Sequence, residues 1–585
     1  MSPAGGKQNK NMRKTIITIA AALFMGGSVL QAQQVKIGKN NIKLTHDTMT
    51  PEALWAMGRI GTTAPSPDGK KIVYQVGYYS VEENKGHQML FVMDANGKNI
   101  KQLTTSDNSE TDPSWIDNNT IAFLSDGQIW KMNADGTNRK KLTSDKTDIE
   151  GYKFSPDRKK VVIIKSLPYY GSIKKNPSDL PKATGRLITD MNYRHWDHYV
   201  ETIPHPFVAN VNGDNIDAGT DILEGEPYES PMAPFGGIEQ IDWSRDSRSV
   251  AYTCRKKEGV RYAISTDADI YLYDTETHKT KNLCKDDADK TLLAEWAKAD
   301  SSIDATKSMR GQAIDSEKFQ SLNVGYDVNP KFSPDGKYVA WQSMAHNGYE
   351  SDLNRLCIYD LNKHTKFYAT DARNFDTNVD DYCWAPDSKS LYITGVWHAT
   401  ERIWNVSIKG GKVKQITDDG YYDFGGVQML NGKQLLTTRH SMLHPDDIFV
   451  VTPSKNEKRA QVEQITDENK NIFDQLASAT VEQRWVKTTD GKEELVWVIL
   501  PPHFDKTKKY PTLLYCEGGP QSPVSQFWSY RWNFSIMAAH GYVIIAPNRR
   551  GLPGFGSEWN EEVSRDWTGQ CMDDYLSAID DAVKN

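Results

Sequence analysis

Residues able to stabilise a developing negative charge stand together near the end of the chain, in Glu517-Gly518-Gly519-Pro520. Pro520 has no backbone N–H, so any donor in this loop comes from Gly518 or Gly519, and the absent Cβ lets a ligand carbonyl come close to the backbone. That is the chemistry of an oxyanion hole, with Gly518 and Gly519 as its candidate donors. Glu517 adds a carboxylate beside them, suited to holding a substrate amine or to accepting local N–H groups. Glu350 and Asp352, in Gly348-Tyr349-Glu350-Ser351-Asp352-Leu353, are further carboxylates able to take a free α-amino group, against the alternative of a solvated hairpin loop. His195, Asp197, His198 and His205 offer metal-ligand atoms. No helical pattern aligns His195 with His198 and no second ligand pair lies near, so no metal is expected. Trp196 is expected to be buried, with Arg194 and Asp197 pairing as their segment docks.

The elements that position the Glu517 loop are legible as strand, loop, helix, strand. The apolar run Tyr510 to Cys516 stops at the glycines, Tyr530 to His540 has helical character, and Gly541 to Pro547 is a second apolar run ending at Asn548-Arg549-Arg550-Gly551. Cys516 reads as a small hydrophobe packed at its strand end. Arg549 and Arg550 are expected to brace the strand-end loop beside the cleft through carboxylate or carbonyl contacts. Phe527, Trp528, Tyr530 and Trp532 suit a specificity pocket or interdomain packing. Before these elements, Gln483 to Lys487 and Glu494 to Leu500 flank Thr489-Asp490-Gly491-Lys492, a hairpin signal. After them, Met572, Leu576, Ile579 and Val583 recur at helical spacing over Gln570 to Lys584.

Upstream the chain repeats. A Ser-Pro-Asp-Gly-like turn after an aromatic or small residue recurs at Ser66, Asp117, Ser155, Ser244, Ser333, Ala385 and Asn431, about seven times. A second strand follows, ending in an acid or polar turn, and then a Leu-Thr or Ile-Thr pair, as at Leu103-Thr104, Leu142-Thr143 and Ile416-Thr417. Several short strands per unit, each unit too small to bury its own faces, describe an all-β propeller of about seven blades over 61–475, followed by an α/β domain over 476–585, which the family resemblance given below implies to be incomplete. Two intervals are about one blade too long, and insertions are expected at about 167–237 and 255–324.

The 585 residues, 38% hydrophobic with 16 Trp and 27 Tyr, hold enough material for at least two cores. A net charge of -7 with interspersed signs presents no basic stripe for nucleic acid. Arg13 and Lys14 precede the apolar run Ile16 to Met25, and small or neutral residues lead to Ala32. This reads as a signal peptide over 1–32 starting at Met12, then an N-terminal segment over 33–60. Export to a periplasm or beyond is expected, because the run is shorter than the ~20 residues of a membrane span. Six cysteines lack Cys-x-x-Cys spacing.

Taken in order, the signal peptide, the Ser-Pro-Asp-Gly propeller, Tyr193-Arg194-His195-Trp196-Asp197, Glu517-Gly518-Gly519-Pro520 and Asn548-Arg549-Arg550-Gly551 resemble the prolyl oligopeptidase family of serine peptidases. The branch they are most similar to is that of the acylaminoacyl-peptidases and dipeptidyl-peptidase V-like exopeptidases. The resemblance implies an α/β-hydrolase domain that cuts short peptides with a Ser, Asp and His triad, the propeller filtering substrates by size, and it favours Gly519 as the donor. No Gly-x-Ser-x-Gly elbow occurs in the sequence, so the triad is expected beyond residue 585 and this form is expected to be inactive. Short peptides are the expected partners, with no nucleic acid, no membrane span after signal removal and no cofactor; a homodimer is compatible with this picture. The alternative is a non-catalytic TolB-like propeller acting as a binding or scaffold protein, since such propellers use the same turn. Residues 481–585 favour the peptidase.

Overall fold

The computed structural model describes residues 37–585 apart from 170–172, 175–181, 183, 185–186, 189–194, 197–198, 305–306, 308–310, 350, 455–458 and 519–521. The expected features at Gly519, Glu350, Arg194, Asp197 and His198 therefore lie outside the described residues, as does the signal segment. Seven antiparallel sheets follow one another over 59–102, 110–141, 149–221, 241–282, 327–368, 381–415 and 423–464. Each is an antiparallel meander of four strands; in the third, the separate pair Ile173–Lys174 and Leu187–Ile188 intervenes between the second and third strands, and Thr220–Asp221 adds to the third.

The recurrent turn is the hairpin between first and second strands. In the first sheet the Ser66 N–H donates to Lys71 O and the Gly69 N–H to Ser66 O, both at 2.8 Å, while the Ser66 hydroxyl bonds Asp68 at 2.8 Å. The last turn position is left-handed, with φ of 66° at Gly69 and 70° at Gly336, but 62° at Arg158, 61° at Ser247 and 57° at Ser388. Glycine is thus favoured there without being obligatory. The Leu-Thr repeat has an equally local cause, because the threonine hydroxyl accepts an N–H from the third strand where the short fourth strand has run out of carbonyls. Leu90 N–H meets Thr104 at 3.0 Å, Ile129 N–H meets Thr143 at 2.9 Å and Ile403 N–H meets Thr417 at 3.1 Å. In the fourth sheet the Cys284 sulfur takes this place, 3.1 Å from the Ile270 N.

Neighbouring sheets pack face to face, as Val162 and Ile164 do with Trp243, Val250 and Tyr252. The ring closes through side chains, without exchange of a strand. Ile72, Tyr74 and Val76 pack on Leu430, Leu436 and Ile448, and the Gln428 amide donates to Thr63 O at 3.0 Å. Both expected insertions are shorter than the sequence suggests. Thr202–Asn212 pairs with Lys160–Pro168 as the third strand of its blade, its strand character masked by Pro204 and Pro206. Asp269–Asp274 and Thr280–Asn282 likewise belong to the fourth blade.

The C-terminal unit contains β1 (Thr480–Lys487), β2 (Glu493–Leu500), β3 (Thr512–Leu514) and β4 (Val543–Pro547), in the spatial order β1-β2-β4-β3. β1, β2 and β4 pair antiparallel, whereas β3 and β4 run parallel. A parallel pair requires a crossover, supplied here by α1 (Phe534–Ala539), whose first turn is capped by the Asn533 side chain accepting the Ile536 N–H at 3.0 Å. α1 covers one face of the sheet with Trp497, Ile499 and Ile544, and α2 (Gln570–Lys584) covers the other with Val496, Val498 and Ile545. Hairpin tips of the propeller plug into this unit. Ala399 and Met442 sit in its core, the His398 N–H donates to Gly554 O at 2.9 Å, and the Arg59 guanidinium lies between the rings of Tyr79 and Tyr530, 4.0 and 3.8 Å from their centroids.

Candidate active site

The Glu517 loop is held from beneath. The Tyr515 N–H donates to Ile545 O at 2.8 Å, continuing the β3–β4 pairing by one residue. Two residues on, the Glu517 carbonyl accepts from Arg549 Nη2 at 3.3 Å and from the Tyr575 hydroxyl at 3.1 Å, and Arg549 Nε donates to that hydroxyl at 3.2 Å. A peptide is planar and trans, so fastening this carbonyl inward turns the Gly518 N–H the opposite way. Gly518 is exposed, and a Cβ there would meet nothing within 4 Å. Among the described residues no internal packing demands a glycine at 518. Burial pushes the Glu517 carboxyl up, against the opposing influence of the Tyr515 hydroxyl, the Gly518 N–H and the Arg549 guanidinium. Cys516 is exposed, contrary to the packed role read from the sequence, because β3 stops at Leu514.

Asn548, fully buried, locks the far side of the loop. Its Oδ1 accepts the Val524 N–H at 2.9 Å and its Nδ2 donates to Val524 O at 3.0 Å. Arg550 ties the β1–β2 turn to α2. It grips Asp490 at 2.9 and 3.1 Å and Asp574 at 2.8 and 3.1 Å, with Glu562 at 3.2 Å. Hydrogen bonding to Arg550, then to Thr488, holds the Asp490 carboxyl far below the usual carboxylate range. The bracing expected of both arginines is present, but Tyr575, Asp490 and Asp574 carried no local signal that would have named them.

A cavity of about 890 Å³ opens between propeller and C-terminal unit. Tyr262, Ser265, Tyr326 and Tyr349 line it from the propeller, with Val563 and Trp567 opposite. Across it the Tyr349 hydroxyl meets Ser564 Oγ at 2.9 Å. Asp352 is close by but is neither a solvated loop residue nor a free anchor. It is buried and accepts the Ala345, His346 and Leu353 N–H groups at 2.6, 2.7 and 2.9 Å, with His346 Nδ1 at 3.0 Å. Its four contacts hold the 345–353 loop together. Trp196 is 71% exposed rather than buried and lies beside Phe235. His195 bonds Glu229 at 2.7 Å and His205 bonds Asp221 at 2.9 Å, so the two histidines serve separate carboxylates. Trp528 and Tyr530 pack with Ala53 and Leu54 of the short helix Pro51–Ala56 and with Phe473, and Phe527 packs against Tyr515 and Phe534.

This arrangement has known counterparts. A model described as the prolyl oligopeptidase family matches residues 528–585. Dipeptidyl-peptidase 5 of Porphyromonas gingivalis is 43% identical over 580 residues, covering 98% of this chain and 77% of that protein. Dipeptidyl-peptidase 5 of Porphyromonas endodontalis is 39% identical, with the same 98% and 77% coverage. Among solved structures, Pyrococcus horikoshii acylaminoacyl peptidase superposes with a TM-score of 0.66 at 15% identity, over 92% of this chain and 72% of that one. Those structures join a propeller to an α/β-hydrolase unit, as here. On the strength of these likenesses and the matched family model, the chain belongs to the prolyl oligopeptidase family of serine-type peptidases.

Proposed function

We propose that the chain receives short peptides in the cavity between propeller and hydrolase unit and serves their exopeptidase cleavage, by release of dipeptides or single aminoacyl residues, after export from the cytoplasm. One observation carries this reading: the 890 Å³ cavity is walled on one side by residues 563–567, which lead directly into α2, and α2 carries the Tyr575 that fastens the Glu517 carbonyl. Peptide site and oxyanion wall are thus linked through α2. The printed names of the two Porphyromonas relatives, dipeptidyl-peptidase 5, favour dipeptide release. In our account Gly519 donates to the oxyanion, joined by Gly518 when Glu517 yields its N–H, and Glu517 helps to hold the substrate amine. The cavity's size restricts entry to short chains.

The acylated serine of such a reaction requires a sharp, exposed elbow, and no Gly-x-Ser-x-Gly stands in the sequence. The 585-residue chain is therefore expected to remain unlabelled by a fluorophosphonate probe in intact-mass measurement. Joined to the part of the Porphyromonas gingivalis relative that this chain does not match, it is expected to take up one probe and to release dipeptides from dipeptidyl anilides. An adduct on the 585-residue chain would show the nucleophile to be misplaced. A folded, probe-reactive fusion that cleaves only internal bonds of long chains would refute the exopeptidase reading.

A further inference from the structure

Resting on the proposed peptide site, we infer that Arg255 is a receptor for a peptide carboxylate. Arg255 lines the interdomain cavity and is 8% exposed. Its basic neighbours are all neutralised. Lys256 pairs with Glu226 at 2.5 Å, Lys257 with Asp267 at 3.0 Å and Asp300 at 2.9 Å, and Arg261 with Asp300. Arg255 has no carboxylate within ion-pair distance among the described residues. Its Nη1 donates to Ser265 O at 2.6 Å, its guanidinium lies 4.0 Å from the Tyr262 ring centroid, and its Nε is buried without a partner. A guanidinium carries five N–H donors in a fixed fork, so most of this one's hydrogen-bonding capacity is unused. Burying a cation without a counter-ion is costly, and a stacked ring offsets only part of that cost. A carboxylate entering the cavity would supply both the charge and the fork-shaped acceptor that the site lacks.

Two sources offer that chemistry, the C-terminal carboxylate of a short peptide and an acidic side chain within it. The test uses trialanine as free acid and as amide, and Ala-Glu-Ala amide beside Ala-Gln-Ala amide, titrated into the 585-residue chain by calorimetry. At least one carboxylate peptide is expected to bind about tenfold more tightly than its neutral counterpart; which pair shows the preference identifies the source. In Arg255→Gln the preference is expected to vanish, and in Arg255→Lys to survive in part, because the charge remains while the fork is lost. Equal affinity within both pairs overturns the inference while leaving the peptide site intact, and absence of binding by any of the four overturns both. The wild-type comparison needs no variant, so a poorly folded Arg255→Gln leaves the inference decidable. Full retention of the preference in a folded Arg255→Gln would also overturn it.

Discussion

Replacing Arg550 by alanine is expected to lower the stability of the hydrolase unit by about 3–5 kcal/mol, the loss typical of removing one partner from a buried ion pair. Arg550 has a side chain 5% exposed and Asp574 one that is fully buried. The lost energy is therefore less the attraction itself than the stranding of Asp574 without a cation. Asp490 is a third exposed and can rehydrate, so its share is small. The effect should be regional. Hydrogen exchange should accelerate across β1, β2 and α2, which Arg550 joins, and leave the seven propeller sheets protected. A uniform acceleration over both units, or none, would show that Arg550 is not the tie described. Arg550→Lys keeps the charge but not the paired grip on Asp490 and Asp574, and is expected to recover only part of the loss.

The second large effect concerns Glu494, at the start of β2. Its side chain is fully buried, and among the described residues neither carboxylate oxygen has a hydrogen-bond partner. Burial first and the Asp574 carboxylate second, against the opposing pull of Arg550, push its pKa up to about 9. The folded protein thus keeps a proton that the unfolded chain releases near the ordinary glutamate value, and the sign follows. This group's contribution to stability is fully present below that ordinary value and is lost as pH rises toward about 9. Glu494→Gln has no proton to lose and nearly the same shape. Its advantage over wild type is expected to be small near pH 5 and to grow to on the order of 2 kcal/mol by pH 8, since local relaxation keeps it below the ~1.4 kcal/mol per pH unit of an unrelaxed group. Thermal melts of both forms from pH 5 to 9 measure the difference. Parallel curves would mean that Glu494 is ionised in the folded protein and would contradict its burial as a neutral acid.

Much of this architecture was open to reading from the sequence because its causes are local. The Ser66-type turns and the Thr104-type caps each satisfy hydrogen bonds within about twenty residues, so the same residues recur wherever the same geometry does. The 510–547 elements were equally legible, since apolar runs and a capped helix declare themselves by period. The insertions were misjudged where prolines 204 and 206 hid a strand whose partner lies more than thirty residues away. Trp196, Cys516 and Asp352 were misplaced for a related reason: burial and pairing there depend on segments distant in the chain, which composition does not reveal. The site divides in the same way. The glycine loop and its arginines were visible as a motif, whereas Tyr575, Asp574, Glu494 and Arg255 acquire their roles only once α2 and the blade-four loops are folded against their neighbours.

The central claim is that short peptides lodge between the propeller and the 563–567 segment, against the wall that carries the glycine loop. Hydrogen-exchange mass spectrometry of the 585-residue chain with saturating trialanine tests it most directly. Protection is expected to concentrate in 259–266, 344–349 and 563–567, the cavity walls, with the outer strands of the seven sheets unchanged. Protection confined to surfaces away from these segments, with the cavity walls exchanging as in the free protein, would contradict it.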